Sequence, residues 1–408
     1  MRTPRLFLLG FFLAITSTSG AVDQQSSPRE NESRPLFPIA LEHPFNAPEE
    51  TFLEVKDYLK RYYYSDQLND EALYHAAIQG MLRHVSPPQS PELAKLWPAT
   101  DFERFNSELD GIQHALGLDV RYSATDGSLT VTQTAPGSPA AKSLKTHDRI
   151  MRINGQALKG INAQQLSQTL AQAAKDSVTF TVVRDIEVFD VTLKSAVYDV
   201  QNLHLKRFQD SAYIGIKSVS RGVASALKKT LEKLEKEGID HVIIDLRNNA
   251  GGDFYEGLAL AELFLDRGTP LLYTLQNEAT VEHYRSSNPE ASKLQPILLI
   301  NEYTASAAEV FAAALRDHQK ARLVGTRSHG KATVEGTYKL DNGYYIKFII
   351  AAMYSPRGQS WQSKGLLPDY FAESSAGKIE ELQALPFKRQ LQQDLPLATA
   401  WKLLHESN

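Results

Sequence analysis

The rhythm of apolar and polar positions changes several times along the chain, and each rhythm predicts a different kind of element. Leu6 to Ile15 is an unbroken apolar run of 10 residues, too short to cross a bilayer as a helix. Residues 22–48 have no periodicity and are rich in Ser, Pro, Asn and Glu, which predicts a disordered leader. From Glu49 the apolar residues return at helical spacing. Phe52, Val55, Leu59 and Tyr62 mark one helix, and a second is predicted from about Asp70 to His84, before SPPQSP breaks the chain. Between residues 105 and 195 the runs shorten to LGLDVRY, LTVTQT, DRIMRINGQ and VTFTVVRD, separated by APGSPAAKS and the helix-like NAQQLSQTLAQAA. Short β-branched runs of this kind predict a small β-rich module with two short helices.

From about Val200 strand and helix patterns alternate. AYIGIKSV reads as a strand, and GVASALKKTLEKLEKEG as an amphipathic helix closed by Gly238, a favoured C-terminal cap. HVIIDLR is a buried strand, NNAGG a turn and FYEGLALAELFLDRG a helix. PILLIN is a strand, Thr304 to His318 a helix, and RLVG and GYYIKFIIAAMYSP are further strands. This alternation predicts an α/β domain. No period of about 20 to 50 residues recurs, which excludes a solenoid.

Composition and charge change this picture in three places. The length of 408 residues implies two or three domains. Arg2 and Arg5 precede the apolar run, and Ser19 and Ala21 fit a small-x-small cleavage site before Val22, so residues 1–21 read as a signal peptide and the chain as exported, periplasmic or secreted. No membrane span is expected once it is cleaved. The 44 Lys and Arg against 48 Asp and Glu give a net charge of −4, and loss of the two arginines of the signal leaves the mature chain more acidic. That balance provides no basic footprint for nucleic acid. There is no cysteine, which removes disulfides, a thiol nucleophile and a lipid-modified cysteine. A large exported chain without disulfides rests on its hydrophobic cores and reads as a bacterial-type enzyme.

Three chemistries are candidates. GTRSHGKA, Gly325 to Ala332, resembles a phosphate loop but ends in Ala332 where Ser or Thr would hold Mg²⁺, and TVEGTYKL after it reads as strand instead of helix. The 11 His are scattered without ligand spacing, so no metal and no cofactor are expected. The third candidate is a serine nucleophile with a lysine base. Ser306 falls at a strand-to-helix turn in NEYTASAAEVFAAALRDH, with the Ala307 amide at the helix start and the amides of Gly251 and Gly252 in the preceding crossover. Lys331 follows 25 residues later, after a helix and a strand. Taken alone, Ser306 to Glu309 (SAAE) reads better as a capping box, Lys331 as a solvated strand lysine and NNAGG as a tight turn. Only their conjunction favours chemistry.

In this order the motifs resemble those of the C-terminal processing peptidases, or tail-specific proteases. YIGIKSVS, VIIDLRNNAGG, NEYTASAAE, LVGTRSHGKATVE and YSPRGQSWQSKGLLPDY follow one another, with GSPAAKS and DRIMRINGQ before them, over roughly residues 50–400. The resemblance implies an α+β multidomain chain: an N-terminal helical segment at 49–104, a PDZ domain inserted at 105–195, a ClpP/crotonase-like α/β peptidase core at 196–375 and a C-terminal helical segment at 376–408. It implies a serine endopeptidase cleaving exported proteins near their C-termini, with Ser306 as nucleophile, Lys331 as general base, and Gly251, Gly252 and Ala307 as oxyanion donors. The PDZ domain would take protein or peptide tails by strand addition. Its carboxylate loop would be Leu116, Gly117, Leu118 and Asp119, and its groove would lie between GLDVRY and the NAQQLSQTLAQA helix. The resemblance leaves a homodimer or an adaptor partner open.

The family usually carries Gln four residues after the lysine, where this chain has Glu335. Residues 331 and 335 share a face of an extended strand. A carboxylate there favours the ammonium form and works against a lysine base, which must lose its proton before it can take one from Ser306. Two smaller departures are Ser328-His329 before the glycine and HVSPP near residue 84. Glu335 also supports an alternative function, a catalytically degenerate relative that binds C-terminal tails as an adaptor.

Overall fold

The computed structural model describes residues 46–65, 68–87, 90, 93–123, 126–135, 137–161, 169, 177–199, 202–208, 210–277, 279–374, 376–383 and 385–405. The signal peptide, nearly all of the leader and nearly all of the NAQQLSQTLAQAA helix lie outside these residues.

The chain opens with helices α1 (Pro48–Tyr62) and α2 (Asp70–His84), strand β1 (Lys95–Trp97) and helix α3 (Ala99–Leu109). Asn69 caps α2 by accepting the Ala72 N–H at 2.8 Å. Asp70 joins α2 to α1 through Lys56 and Lys60. The stripe Phe52, Val55, Leu59 and Tyr62 on α1, which the helical spacing marks as a buried face, is exposed.

The β-rich module comprises β2 (Ile112–Ala115), β3 (Leu118–Ser123), β4 (Ser128–Thr134), β5 (Arg149–Ile153), β6 (Gln156–Ala157), β7 (Ser177–Arg184), β8 (Glu187–Lys194) and β9 (Ala196–Asp199). Its main sheet has the order β3-β4-β5-β7-β8 with β6 on β5, all antiparallel. Alternation in VTFTVVR sends Val178, Phe180 and Val182 inward, where they meet Leu116, Leu118, Leu129 and Ile150 in one core. β2 pairs with β9 antiparallel, from Ile112 opposite Asp199 to Ala115 opposite Ala196, so the chain enters and leaves the module through one two-stranded neck.

The larger core follows, with β10 (Leu203–Phe208), β11 (Ser211–Ile216), α4 (Val223–Lys236), β12 (His241–Asp245), α5 (Phe254–Glu262), β13 (Pro270–Gln276), β14 (Thr280–Arg285), β15 (Gln295–Ile300), α6 (Ala307–Asp317), β16 (Arg322–Gly325), β17 (Thr333–Lys339), β18 (Tyr345–Tyr354) and β19 (Tyr370–Phe371). One sheet has the order β10-β11-β12-β15-β16-β19, and β11 to β19 run parallel in it. Its central strands are buried along nearly their whole length, as both faces are covered. On one face lie Leu227 and Leu231 of α4, Leu258 and Leu260 of α5, and Val310, Phe311 and Leu315 of α6. On the other lie Phe387, Leu397, Ala400 and Leu404, carried by α8 (Phe387–Gln393) and α9 (Leu395–His405), after the short α7 (Ala376–Gln383).

A second sheet, β1-β18-β13-β14 with β17 also on β18, stands beside the first and is antiparallel. The β13–β14 hairpin has no counterpart in the sequence reading. β14 is exposed along nearly its whole length, so it carries no alternating apolar signal. The helix expected from Thr304 begins only at Ala307, because Asn301 to Ala305 form a separate hydrogen-bonded loop.

Candidate active site

In a parallel sheet, open crevices form beyond the carboxyl ends of the strands. Two loops meet there, Leu246 to Gly252 after β12 and Asn301 to Ser306 after β15. Asn301 Nδ2 donates to Asn248 Oδ1 at 2.8 Å, and the Asn248 N–H donates back to Asn301 Oδ1 at 2.9 Å. Thr304 Oγ1 donates to the Leu246 carbonyl, and the Ala305 N–H to the Asn249 carbonyl. Polar residues in NNAGG and NEYT thus weld two turns that would otherwise leave buried backbone groups unpaired.

Ser306 sits at the end of the second turn with φ 55° and ψ −122°. A positive φ costs a non-glycine residue about 1–3 kcal/mol and persists only where the surroundings enforce it. The enforcement comes from Glu309, one turn into α6. Its Oε2 accepts the Ser306 N–H at 2.9 Å. The two arms of this capping box are unequal. The Glu309 N–H lies 2.8 Å from the Ser306 carbonyl oxygen, and the Ser306 side chain makes no cap hydrogen bond. The Ser306 side chain still faces the Glu309 N–H as the second arm of the box.

Glu309 has a second set of partners. The same Oε2 accepts the Lys331 N–H at 2.9 Å, and Oε1 accepts the Gly330 N–H at 2.7 Å and Ser328 Oγ at 2.6 Å. Two backbone nitrogens each 2.9 Å from one oxygen are at most twice that distance apart, so the Ser306 and Lys331 segments are held side by side. The carboxylate is fully buried. Burial pushes its pKa up to about 7, against the opposing pull of Ser328 and the three amides. Sequence reasoning found Glu309 only as a cap. The further signal was its place in the Ala-rich run AAEVFAAAL, where a lone carboxylate must be buried and must find donors. These bonds also dispose of the phosphate-loop resemblance, since the Gly330 and Lys331 amides that would cradle an anion already hold a carboxylate.

The Lys331 amine points to Glu335: Nζ lies 2.9 Å from Glu335 Oε2, and it makes no hydrogen bond to Ser306. The face shared by 331 and 335 is thus occupied as an ion pair. Thr333 Oγ1 donates to Glu335 Oε1 at 3.2 Å.

The expected oxyanion donors separate into two kinds. The Gly251 N–H donates to Asn249 Oδ1 at 2.9 Å in this structure. Among the described residues the N–H groups of Gly252 and Ala307 have no hydrogen-bond partner. Gly251 also has a steric role. A Cβ on it would stand 2.7 Å from the Ala305 carbonyl oxygen, 2.8 Å from Ser306 Cβ and 2.9 Å from the Ala307 nitrogen, and its φ is +94°. Only glycine lets the first turn approach the serine this closely.

In the β-rich module, Leu116 and Leu118 are buried, and the carbonyls of Leu116 and Gly117 accept the N–H groups of Ala140 and Ala135 at 2.9 Å. Gly117, at φ +68°, is pressed against Ser138 and Tyr198. β3, which contains Asp119, is an edge of its sheet among the described residues. The helix expected to form the other wall of the groove lies outside them. Among the described residues no helix is long and apolar enough to cross a membrane, and no three His, Asp or Glu side chains group as metal ligands.

Residues 210–371 match the Peptidase family S41 model, and residues 101–183 match the PDZ domain model. Among curated proteins the chain is 29% identical over 328 residues to the "Probable CtpA-like serine protease" of Staphylococcus aureus (strain MRSA252), covering 79% of this chain and 64% of that one. A protein of the same name in Staphylococcus saprophyticus is 27% identical over 334 residues, covering 81% and 66%. The chain spans just under two thirds of the length of these relatives. Among solved structures it shares its fold with the photosystem II D1 C-terminal processing protease, with TM-score 0.51, 20% identity and coverage of 81% of this chain and 94% of that one. A candidate S41 protease from Bacteroides fragilis NCTC 9343 gives TM-score 0.57 at 15% identity, covering 90% and 99%.

Proposed function

We propose that this chain is an exported serine endopeptidase that cuts proteins near their C-termini. Ser306 is the nucleophile and Lys331 the general base. The hydroxyl oxygen attacks the scissile carbonyl carbon as its proton passes to the neutral Lys331 amine. The Ala307 and Gly252 amides receive the oxyanion, a contribution worth about 10²–10³ in rate for one such donor. The ammonium then protonates the leaving amine, and water releases the acyl group by the same steps in reverse order of roles. The β3 edge and the Leu116–Asp119 loop receive the substrate tail as an added strand. The signal-like residues 1–21 support export.

The single observation that carries this reading is the shared Glu309 oxygen, which holds the backbones of the serine and the lysine together. A helix cap alone would require neither the second partner nor the positive φ at Ser306.

The mature chain should cleave an unfolded casein-like substrate, and Ser306→Ala should lower the rate by at least about 10³ without loss of folding, since the side chain makes no cap hydrogen bond. Cleavage that survives this substitution would remove the assignment. The Lys331–Glu335 contact favours the second reading, a tail-binding adaptor, because the amine faces a carboxylate and not the Ser306 hydroxyl. Binding of peptide tails with no cleavage at any pH would establish that reading instead.

A further inference from the structure

Glu335 lies between two ammonium groups. Its Oε2 is 2.9 Å from Lys331 Nζ and 3.9 Å from Lys347 Nζ, and the side chains of Glu335 and Lys347 are only 13% and 12% exposed. Lys347 stands opposite Thr337 of β17, two residues beyond Glu335, on the same face of the ladder. On its other side β18 pairs with β1, which fixes the Lys347 backbone between two neighbours. The amine is also held over two rings, 5.4 Å from the Trp97 centroid and 5.7 Å from that of Phe105. Lys95 of β1 lies across the same Trp97 ring, at 5.7 Å. From α6, Glu309 meets Lys331 through the backbone amide. The sequence signal for Lys347 was a lone lysine inside the apolar run GYYIKFIIAA.

We propose that Lys347 is a positioning residue for the Ser306–Lys331 reaction: its ammonium balances the Glu335 carboxylate and so lets Lys331 give up its proton. This rests on the proposed assignment of Lys331 as base and deepens it. With Glu335 and Lys331 alone, neutralising the amine would strand a nearly buried carboxylate without a counter-charge, which is costly. With Lys347 in place the carboxylate keeps a cationic partner whichever form Lys331 takes. The two cations also repel each other across it. Both effects favour the neutral amine at Lys331, so the carboxylate and the second lysine act in opposite directions. A chain with glutamate at 335 therefore needs the cation at 347, whereas an amide at 335 would make it largely redundant.

The test reads the Lys331 amine directly, so that it does not depend on peptidase activity. The mature full-length chain is pulsed with acetic anhydride across a pH series, and acetylation of Lys331, whose side chain is 25% exposed, is followed by mass spectrometry. Lys347→Met keeps the stem over Trp97 and removes the charge. It should cut Lys331 labelling at a given pH by about tenfold, moving the midpoint upward. Glu335→Gln should move the midpoint downward, and the double variant should track Glu335→Gln alone. Lys347→Arg restores the cation and should restore the wild-type midpoint. Titration of Glu309 is common to all variants and cancels in the comparison. An unmoved midpoint in Lys347→Met overturns the proposal, as does an equal displacement by Met and Arg, which would make packing the cause. Casein cleavage is measured in parallel. Labelling shifts in the expected order without cleavage by any variant would sustain the charge relation while removing the peptidase assignment.

Discussion

Glu309 shows how one residue can serve a helix start and a distant loop together. Glu309 is the expected cap, and it is also the joint to the Lys331 segment. Its folded pKa of about 7 lies above its ordinary 4.5. Between those values the folded chain holds a proton that the unfolded chain has released. The resulting stabilisation is therefore fully present below 4.5 and lost as pH rises through about 7, a change of about 3 kcal/mol. The joint works in the opposite sense, because a protonated carboxyl cannot accept from all four donors. In urea unfolding of Ser306→Ala, stability should decline from pH 4.5 to 7.5 more steeply than in the same chain carrying Glu309→Gln. Equal slopes would show that Glu309 does not titrate in this window. In the active chain, Glu309→Gln should lower cleavage by at least about tenfold, as an amide presents N–H where an N–H must be accepted. The serine and lysine were legible as a spacing in sequence. The joint was not, since nothing local to SAAE indicates partners at 328–331.

At the level of elements, the site depends on two loops at the ends of neighbouring parallel strands, and Gly251 sets their separation. Gly251→Ala would drive a methyl group against Ser306 and Ala307 from a backbone with φ +94°. It should reduce kcat by about 10² or more while costing the fold about 1–3 kcal/mol, measured by cleavage rate and urea midpoint in parallel. A full loss of folding with no separable effect on kcat would mean that the turn serves stability alone. Sequence reading placed β12, β15 and α6 well, because strands buried on both faces and an Ala-rich helix have strong apolar signatures. It missed the β13–β14 hairpin, whose second strand faces water, and it began α6 at Thr304, three residues early. Loop hydrogen bonds between residues some 50 positions apart leave no periodicity to read.

Across the whole molecule, the last helices reach the site through one buried ion cluster. Arg247, next to the Asn248–Gly252 turn, donates from Nη1 and Nη2 to Asp394 at 2.7 and 2.8 Å and from Nε and Nη2 to Asp245 at 2.9 and 2.6 Å. Burial disfavours its charge, but the two carboxylates hold the guanidinium protonated, above the usual arginine range. Asp394 also accepts the Leu397 N–H at the start of α9. Asp394→Ala should lower the urea-unfolding free energy by about 3 kcal/mol, and Asp394→Asn by less, as it keeps an acceptor for both the helix end and the guanidinium. Equal stability of the alanine variant would mean that α9 is held by its apolar contacts alone. This cluster was legible only as DLR in one place and an isolated Asp in another, with nothing in the sequence to join them.

The antiparallel neck of β2 and β9 brings residues 112 and 199 directly opposite each other. The chain therefore enters and leaves the β-rich module through two strands that stand one strand spacing apart, roughly 5 Å. A module mounted this way can be exchanged for another recognition unit of similar neck without rethreading the chain around it. The β-rich module and the α/β core are thereby separable by the path of the backbone, and each can change while the other is kept.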